Sequence, residues 1–470
     1  NKDANLTIYT LLNAKKIHFF TESQNDIEDI KAIVKLAKLP QDINFWVHDA
    51  ISVQKVNIES LKGEIDFSHI DEAYKNIYVK AKADKLTYTY NTALKGVNTG
   101  FTELEFLDGV LYLKAKDIYS YGSNLGKSWL KIDFTQKEEL LTLYLLFDGI
   151  LNKEMLEILN AYKIKLPFLQ KSGFIKSDLT LLVNLMTLDV DAQGKFEIQK
   201  GNFDYLGLNL DISDAEVLLS NYDVKIPSMR ASYKNIANAE VQVEYDAKAS
   251  EGKIDFLFDS INLDQIKLNS KDAKLHASYI ISPLQDTLQI DKSLWNIQEH
   301  LLSVDALEIP FDLATLKVAF PTTYVELKGI STAFISGEFD IKSANTHLLV
   351  DLLTLSYKGI NLSQSNTQFS LRYTDKLSIK SPENLFFNIV GTEYLLEKPI
   401  ILANAEEVVL KNSKLTVGKY ATTKIYIKHD LNSSQTHVSL SDLNITDTKK
   451  EESLFSKKKV LLSIKNDNDM

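Results

Sequence analysis

Apolar and polar residues alternate with a period of two through most of this chain, from about Ile77 to Ile445. Val241, Val243, Tyr245, Ala247 and Ala249 interleave with Gln242, Glu244, Asp246 and Lys248. Successive side chains of a strand point to opposite faces, so each run is a strand with one apolar and one wet face. The pattern predicts a mainly β fold of antiparallel strands, whose apolar faces either pack on each other as sandwich core or stay open as a groove. Clusters such as Asn98-Thr99-Gly100 and Ser250-Glu251-Gly252 suit hairpin turns. Nothing has βαβ spacing, which argues against a parallel sheet.

Two short amphipathic helices are predicted beside the strands. The first spans 24–39, with Ile27, Ile30, Ile33, Val34 and Ala37 on one face, Ser23 as cap and Pro40 as stop. The second spans 152–162, with Asn152 as cap and Met155, Ile158, Leu159 and Tyr162 on one face. At 470 residues the chain exceeds a single compact core. The expected organisation is an N-terminal strand-rich region with both helices (1–165), a repetitive β region (166–446), and a segment 447–470. That last segment reads as a charged solvated tail around Lys449 and Lys457, with Val460 to Ile464 as the start of a further strand. One internal echo stands out: Tyr205-Leu206-Gly207-Leu208-Asn209-Leu210 and Tyr357-Lys358-Gly359-Ile360-Asn361-Leu362. It is compatible with a repeat or with coincidence.

Composition excludes several function classes. The net charge of −10 speaks against nucleic acid, which needs a basic stripe. Only Arg230 and Arg372 are arginines, so bidentate clamps on phosphate or carboxylate are scarce. The 17 glycines are too few for glycine-cornered solenoids. There are no cysteines, hence no disulfides and no thiolate metal site. No run of 18 apolar residues is present, so no membrane-spanning helix is expected within this stretch. The chain starts at Asn1 and ends in Asn-Asp-Met, which reads as an internal piece of a longer protein.

Candidate chemistry is thin. Gly122-Ser-Asn-Leu-Gly126-Lys127-Ser128 has three residues between its glycines where a P-loop needs four, and a strand-like run follows instead of a helix. It reads as a hairpin turn. Asp189-Val-Asp191-Ala-Gln-Gly194 lacks the closing carboxylate of a calcium loop, since Lys200 stands there. The eight histidines show no ligand spacing. No catalytic residue, metal site or cofactor is expected, and the chain is not expected to be an enzyme.

The helix at Asn152 and Pro167 precede Gly-started apolar runs at 173–183, 194–198 and 201–205, then 208–212 and Asp214-Ala215 opening 214–219. This cadence resembles the AsmA-like family of large Gram-negative envelope proteins, in the branch that carries a domain of unknown function beside the AsmA-like repeats. The resemblance covers about Leu6 to Thr446 and supplies no catalytic residues. It implies a protein akin to bridge-like lipid-transfer proteins, periplasmic and anchored in the inner membrane through a segment outside this stretch. It also implies an elongated, curled antiparallel sheet with the two short amphipathic helices and a hydrophobic groove, along which phospholipid would pass toward the outer membrane.

The expected function is therefore non-enzymatic transport or shielding of phospholipid acyl chains between the two membranes. The groove is expected to be lined by Leu143, Leu145, Phe147, Phe196, Ile198, Leu208, Leu210, Val241, Val243, Phe256 and Phe258. Two alternatives stay open. In an array of closed β-sandwich modules, structural or adhesive, the same faces would pack on each other as core. In an outer-membrane barrel they would face lipid, against which charged runs such as Lys137-Glu138-Glu139 weigh.

Overall fold

The computed structural model describes residues 6–23, 50–89, 95–120, 123–151, 153, 156, 168–187, 189–205, 207–263, 266–269, 271, 274–297, 299–312, 317–340, 343, 345–374, 376–447, 449 and 452–465. These residues form 36 strands, so the chain is mainly β as its alternation predicts. Among the described residues, helix is confined to the 3₁₀ segment Ile70–Asn76 and to Lys153 and Leu156. The expected helix at 24–39 lies outside the described residues, as does most of 152–162. The chain divides into two compact units, Asn1–Ser250 and Glu251–Met470.

In the first unit the strands form an antiparallel ladder that mostly follows chain order. From Leu6–Leu12 it passes through Lys55–Asp66, Ile77–Asp84 and Val110–Ser120 to Trp129–Asp133 and Leu140–Gly149. Five longer strands complete it: Phe168–Asn184, Val190–Tyr205, Leu208–Ser220, Asp223–Tyr233 and Ala237–Asp246. Cross-strand partners share a face, so the register shows where the apolar phase goes. Leu113 lies opposite Leu130, Leu130 opposite Leu143, and Leu143 opposite Leu181. Around Val56, Ala83, Leu130 and Leu141 this face forms a tight cluster in which Ile132 is 0 % exposed. Burying one such side chain stabilises by about 1.5–3 kcal/mol.

The second unit alternates long hairpins with a split sheet. Glu251–Leu263 pairs along its first part with Leu275–Ile281 and at its end with Ile266–Leu268. Thr346–Tyr357 does the same with Thr367–Tyr373 and Ile360–Leu362. Between the long strands the short ones therefore run in two rows. Of the two readings of 447–470, charged tail or start of a further strand, Ser453–Lys465 forms the strand, paired with Gln435–Thr446 and beginning ahead of Val460. Its lysines did not prevent strand formation because they fall on a sheet-edge strand, where lysine is common.

The hairpins reveal a tandem repeat. Asp223–Tyr233, Lys317–Leu327 and Glu407–Val417 begin 94 and then 90 residues apart. Their partners, Ala237–Asp246, Ser331–Asp340 and Ala421–Asp430, keep the same intervals. Each first strand carries a bulge at the same place, between Ile226 and Met229, Phe320 and Thr323, and Leu410 and Ser413. Pro227 and Pro321 occupy the first two bulges, where the missing N–H costs no ladder bond. Each turn is closed alike, by the N–H of Ile236, Ile330 and Tyr420 donating to the carbonyls of Tyr233, Leu327 and Val417. The 205/357 echo is not this period. Its two segments are both two-residue hairpins, with Tyr205 opposite Leu208 and Tyr357 opposite Ile360, but they occupy different places in the strand order.

Candidate functional site

The candidate surface is the apolar face of each unit. In the first unit Leu145 lies opposite Leu179, Phe147 opposite Ser177, and Ser177 opposite Phe196. Phe196 lies opposite Val217 and Ile198 opposite Ala215. At the last hairpin Val243 faces Ile226 and Val241 faces Met229. The register thus brings Leu143, Leu145, Phe147, Phe196 and Ile198 onto one continuous face. Met229, across from Val241, packs in the same cluster as Ile198. Leu210 lies opposite Phe203, a member of that cluster, whereas Leu208 sits beside the hairpin and is 38 % exposed.

Phe256 and Phe258 belong to the second unit, where they stack with ring centroids 5.8 Å apart. Their partners Ala277 and Leu275 start a face that runs on through Ile290 and Leu307. Across the later strands the same unit aligns Leu348 with Leu371, Leu371 with Ile379, and Ile379 with Ile401. Ile401 then meets Leu410, Leu410 meets Ile427, and Ile427 meets Val438.

Sequence alternation alone misses how this face is kept. Ile198 and Phe203 are five residues apart, so a regular strand would send them to opposite sides. Both nevertheless lie in one buried cluster with Ile175 and Ala215. A bulge restores the phase: the ladder of the preceding strand shifts between Gly173 and Ile175, and Asp214 of the next adopts a φ of 55°. A signal was present. Doublets of polar residues, or of proline with a polar residue, break the alternation at Gln199-Lys200, Ser213-Asp214, Pro227-Ser228, Pro321-Thr322 and Lys411-Asn412.

Exposure differs along the face. Val241, Phe147 and Ile198 are buried at 1 %, 8 % and 8 %. Leu143, Leu145, Phe196, Leu210, Val243, Phe256 and Phe258 are only half-buried. At the start of the second unit Leu275, Ala277, Tyr279 and Ile309 are buried as well, whereas further along Leu348, Val350, Leu371, Ile379 and Ile401 stay half-exposed.

The opposite face is wet and charged. Lys195 bridges Glu216 at 2.8 Å and Glu197 at 3.0 Å, and these hydrogen bonds push its ammonium up to about 12. Lys414 pairs with Glu397 and Lys428 with Glu407 across neighbouring strands. Exposed pairs of this kind add little stability singly, but they mark the face that water covers. Gly122 of the glycine-lysine segment lies outside the described residues; the rest enters the strand Trp129–Asp133 through a turn at Gly126 and Lys127. Asp189 immediately precedes the strand Val190–Tyr205. Among the described residues no three His, Asp or Glu side chains gather as a metal site, and no helix is long and apolar enough to cross a membrane. Comparison with family models, curated proteins and solved structures finds no match for this chain.

Proposed function

We propose that this chain shields phospholipid acyl chains along its apolar sheet face and conveys them, without catalysis, between the inner and outer membranes of a Gram-negative envelope. The observation that carries the reading is the continuous apolar face across the later strands of the second unit, where Leu348, Leu371, Ile379 and Ile401 are left half-exposed. Each methylene withdrawn from water contributes about 0.8 kcal/mol, so acyl chains laid on such a face are held while their headgroups stay in solvent. The cadence shared with the AsmA-like family supports a periplasmic location and an inner-membrane anchor outside this stretch. A face of this kind needs no arginine clamp, which agrees with the two arginines of the chain.

The test is to purify the chain without detergent, extract it with organic solvent and weigh the lipids by mass spectrometry. Several phospholipids per chain are expected, with loss when Val243 and Phe256 become aspartate. A folded, lipid-free protein would sink the proposal.

A second reading has its own observation. The cluster around Ile132 and Ala83 in the first unit is as dry as an ordinary core. It favours closed packing there, in keeping with β-sandwich modules of structural or adhesive role. The same extraction separates the two readings.

A further inference from the structure

A cleft of about 340 Å³ opens on the second unit, on the side of the sheet away from the apolar face. Its placement follows from register. Leu349 lies opposite Ser370, Ser370 opposite Lys380, and Lys380 opposite Ile400, one row across four strands. That row is out of phase with Leu348, Leu371, Ile379 and Ile401 of the apolar face. Ser381 fixes one wall: it is 4 % exposed, its N–H donates to the Pro399 carbonyl at 3.1 Å, and its hydroxyl donates to the Glu383 carbonyl at 2.9 Å.

Lys380 and Lys398 border the cleft, are exposed, and form no ion pair among the described residues. Of the surrounding carboxylates, Asp351 accepts a hydrogen bond from the amide of the cleft-lining Gln368 at 3.1 Å, Glu397 is paired with Lys414 at 2.8 Å, and Glu383 is exposed beyond Pro382. Arg372 stands two residues from Ser370 on the same side of its strand. Lys398 also holds a φ of 40° although Pro399 follows, a position that sterics push toward extended backbone. Such strain gathers where a side chain is held for a task.

The preceding repeat provides a control within the same unit. Its corresponding row is Asp255 opposite Ser278, Ser278 opposite Gln289, and Gln289 opposite Glu308. There Asp255 is satisfied internally by Lys253, Ser278 and His276. Between the two repeats, two acids have become leucine and isoleucine, and a glutamine has become lysine.

We propose that this cleft binds a small anionic amphiphile, its carboxylate or phosphate held by Lys380 and Lys398 and its short apolar body laid on Leu349, Pro382 and Ile400. The ammonium groups supply charge complementarity, and the apolar lining favours an anion that carries a hydrocarbon part over a bare one. The site lies on the opposite face from the proposed lipid surface and does not depend on that reading.

The test is calorimetric titration of the full chain with octyl phosphate and octanoate, with octanol and inorganic phosphate as controls. One saturable site is expected for at least one of the two amphiphiles, at least tenfold tighter than either control. Lys380→Gln and Lys398→Gln should each weaken it at least fivefold. Installing the preceding repeat's row, Leu349→Asp with Lys380→Gln and Ile400→Glu, should abolish it. Leu371→Asp, on the other face, should leave it unchanged, and circular dichroism checks that every variant is folded. The proposal is overturned by absence of a saturable site or by octanol binding as tightly as the anions. It is equally overturned by binding that survives the cleft variants but is lost in Leu371→Asp, which would move the ligand to the apolar face.

Discussion

Gly337 lies so close to His347 that a Cβ at position 337 would sit 2.1 Å from the His347 carbonyl oxygen. Gly173 stands in the same relation to Lys200 in the first unit, at 2.3 Å. Both glycines have positive φ, 152° and 100°. These contacts involve backbone on both sides, so no side-chain rotation relieves them.

Gly337→Ala and Gly173→Ala should therefore each destabilise their unit by on the order of 2–3 kcal/mol, read as a shift of the urea midpoint. Gly359→Ala is the comparison: its turn has positive φ but open space around it, and about 1 kcal/mol is expected. Equal effects at all three positions would contradict the close approach.

Ala333 is buried at 5 % directly after a bulge, and Ala239 and Thr423 take the same place in the other hairpins. All three side chains are small. Ala333→Leu should cost about 1–3 kcal/mol through overpacking, and a neutral result in thermal denaturation would show that the bulge leaves room.

Charge placed on the apolar face should act according to depth. Val241, 1 % exposed, would bury an unpaired carboxylate as Val241→Asp and lose at least ~3 kcal/mol or fail to fold. Phe256→Asp, at a half-exposed site, should keep the fold while reducing extracted lipid. Loss of native circular dichroism in both variants would mean that the face is closed throughout.

With only two arginines in the chain to clamp a phosphate, bound phospholipids should mirror the membrane they come from. Competition between headgroups should give preferences under about a hundredfold, or 2.7 kcal/mol. One headgroup winning by more than that would require a specific polar site on that face.

Acid and base should act on identifiable groups. Burial pushes the Asp255 carboxyl up, but hydrogen bonds from Lys253 and Ser278 outweigh it and hold the group below its ordinary value. A carboxyl lowered by folding stabilises above its unfolded pKa, and that contribution is lost as pH falls through the folded value. Lys195 is the mirror case: raised by its hydrogen bonds to Glu216 and Glu197, it contributes below its unfolded value and loses that as pH rises through about 12. Melting temperature should fall on the acid side below about pH 4, and Lys253→Met should soften that fall. An unchanged acid limb in the variant would remove Asp255 from the account.

Strand content was legible because the period of two is local: each residue of 241–246 reports its own face. The parity switch between Ile198 and Phe203 was not, since a bulge is a relation between strands and leaves only a polar doublet in the chain. The repeat escaped for a related reason. Met229, Thr323 and Ser413 share a place in the ladder without sharing chemistry, and the apolar positions around them accept any aliphatic residue. The strand Ser453–Lys465 was obscured by Lys457 to Lys459, whose charge reads as loop until the pairing with Leu443 and Ser441 is seen. The eleven expected groove residues fall on the apolar phase, but their depth follows from neighbours that no single strand records.

The intervals between the hairpins, 94 and 90 residues, are both even. Gene duplication or loss of one such segment takes its bulges and turns with it, and so would leave every later side chain pointing to the side it already occupies. Slippage by a single codon inside a strand would instead turn the rest of that strand's greasy side outward wherever no bulge absorbs the extra residue. Selection on a chain of this kind would then tolerate growth by whole segments far more readily than by small insertions, except at turns, where inserted residues do not propagate.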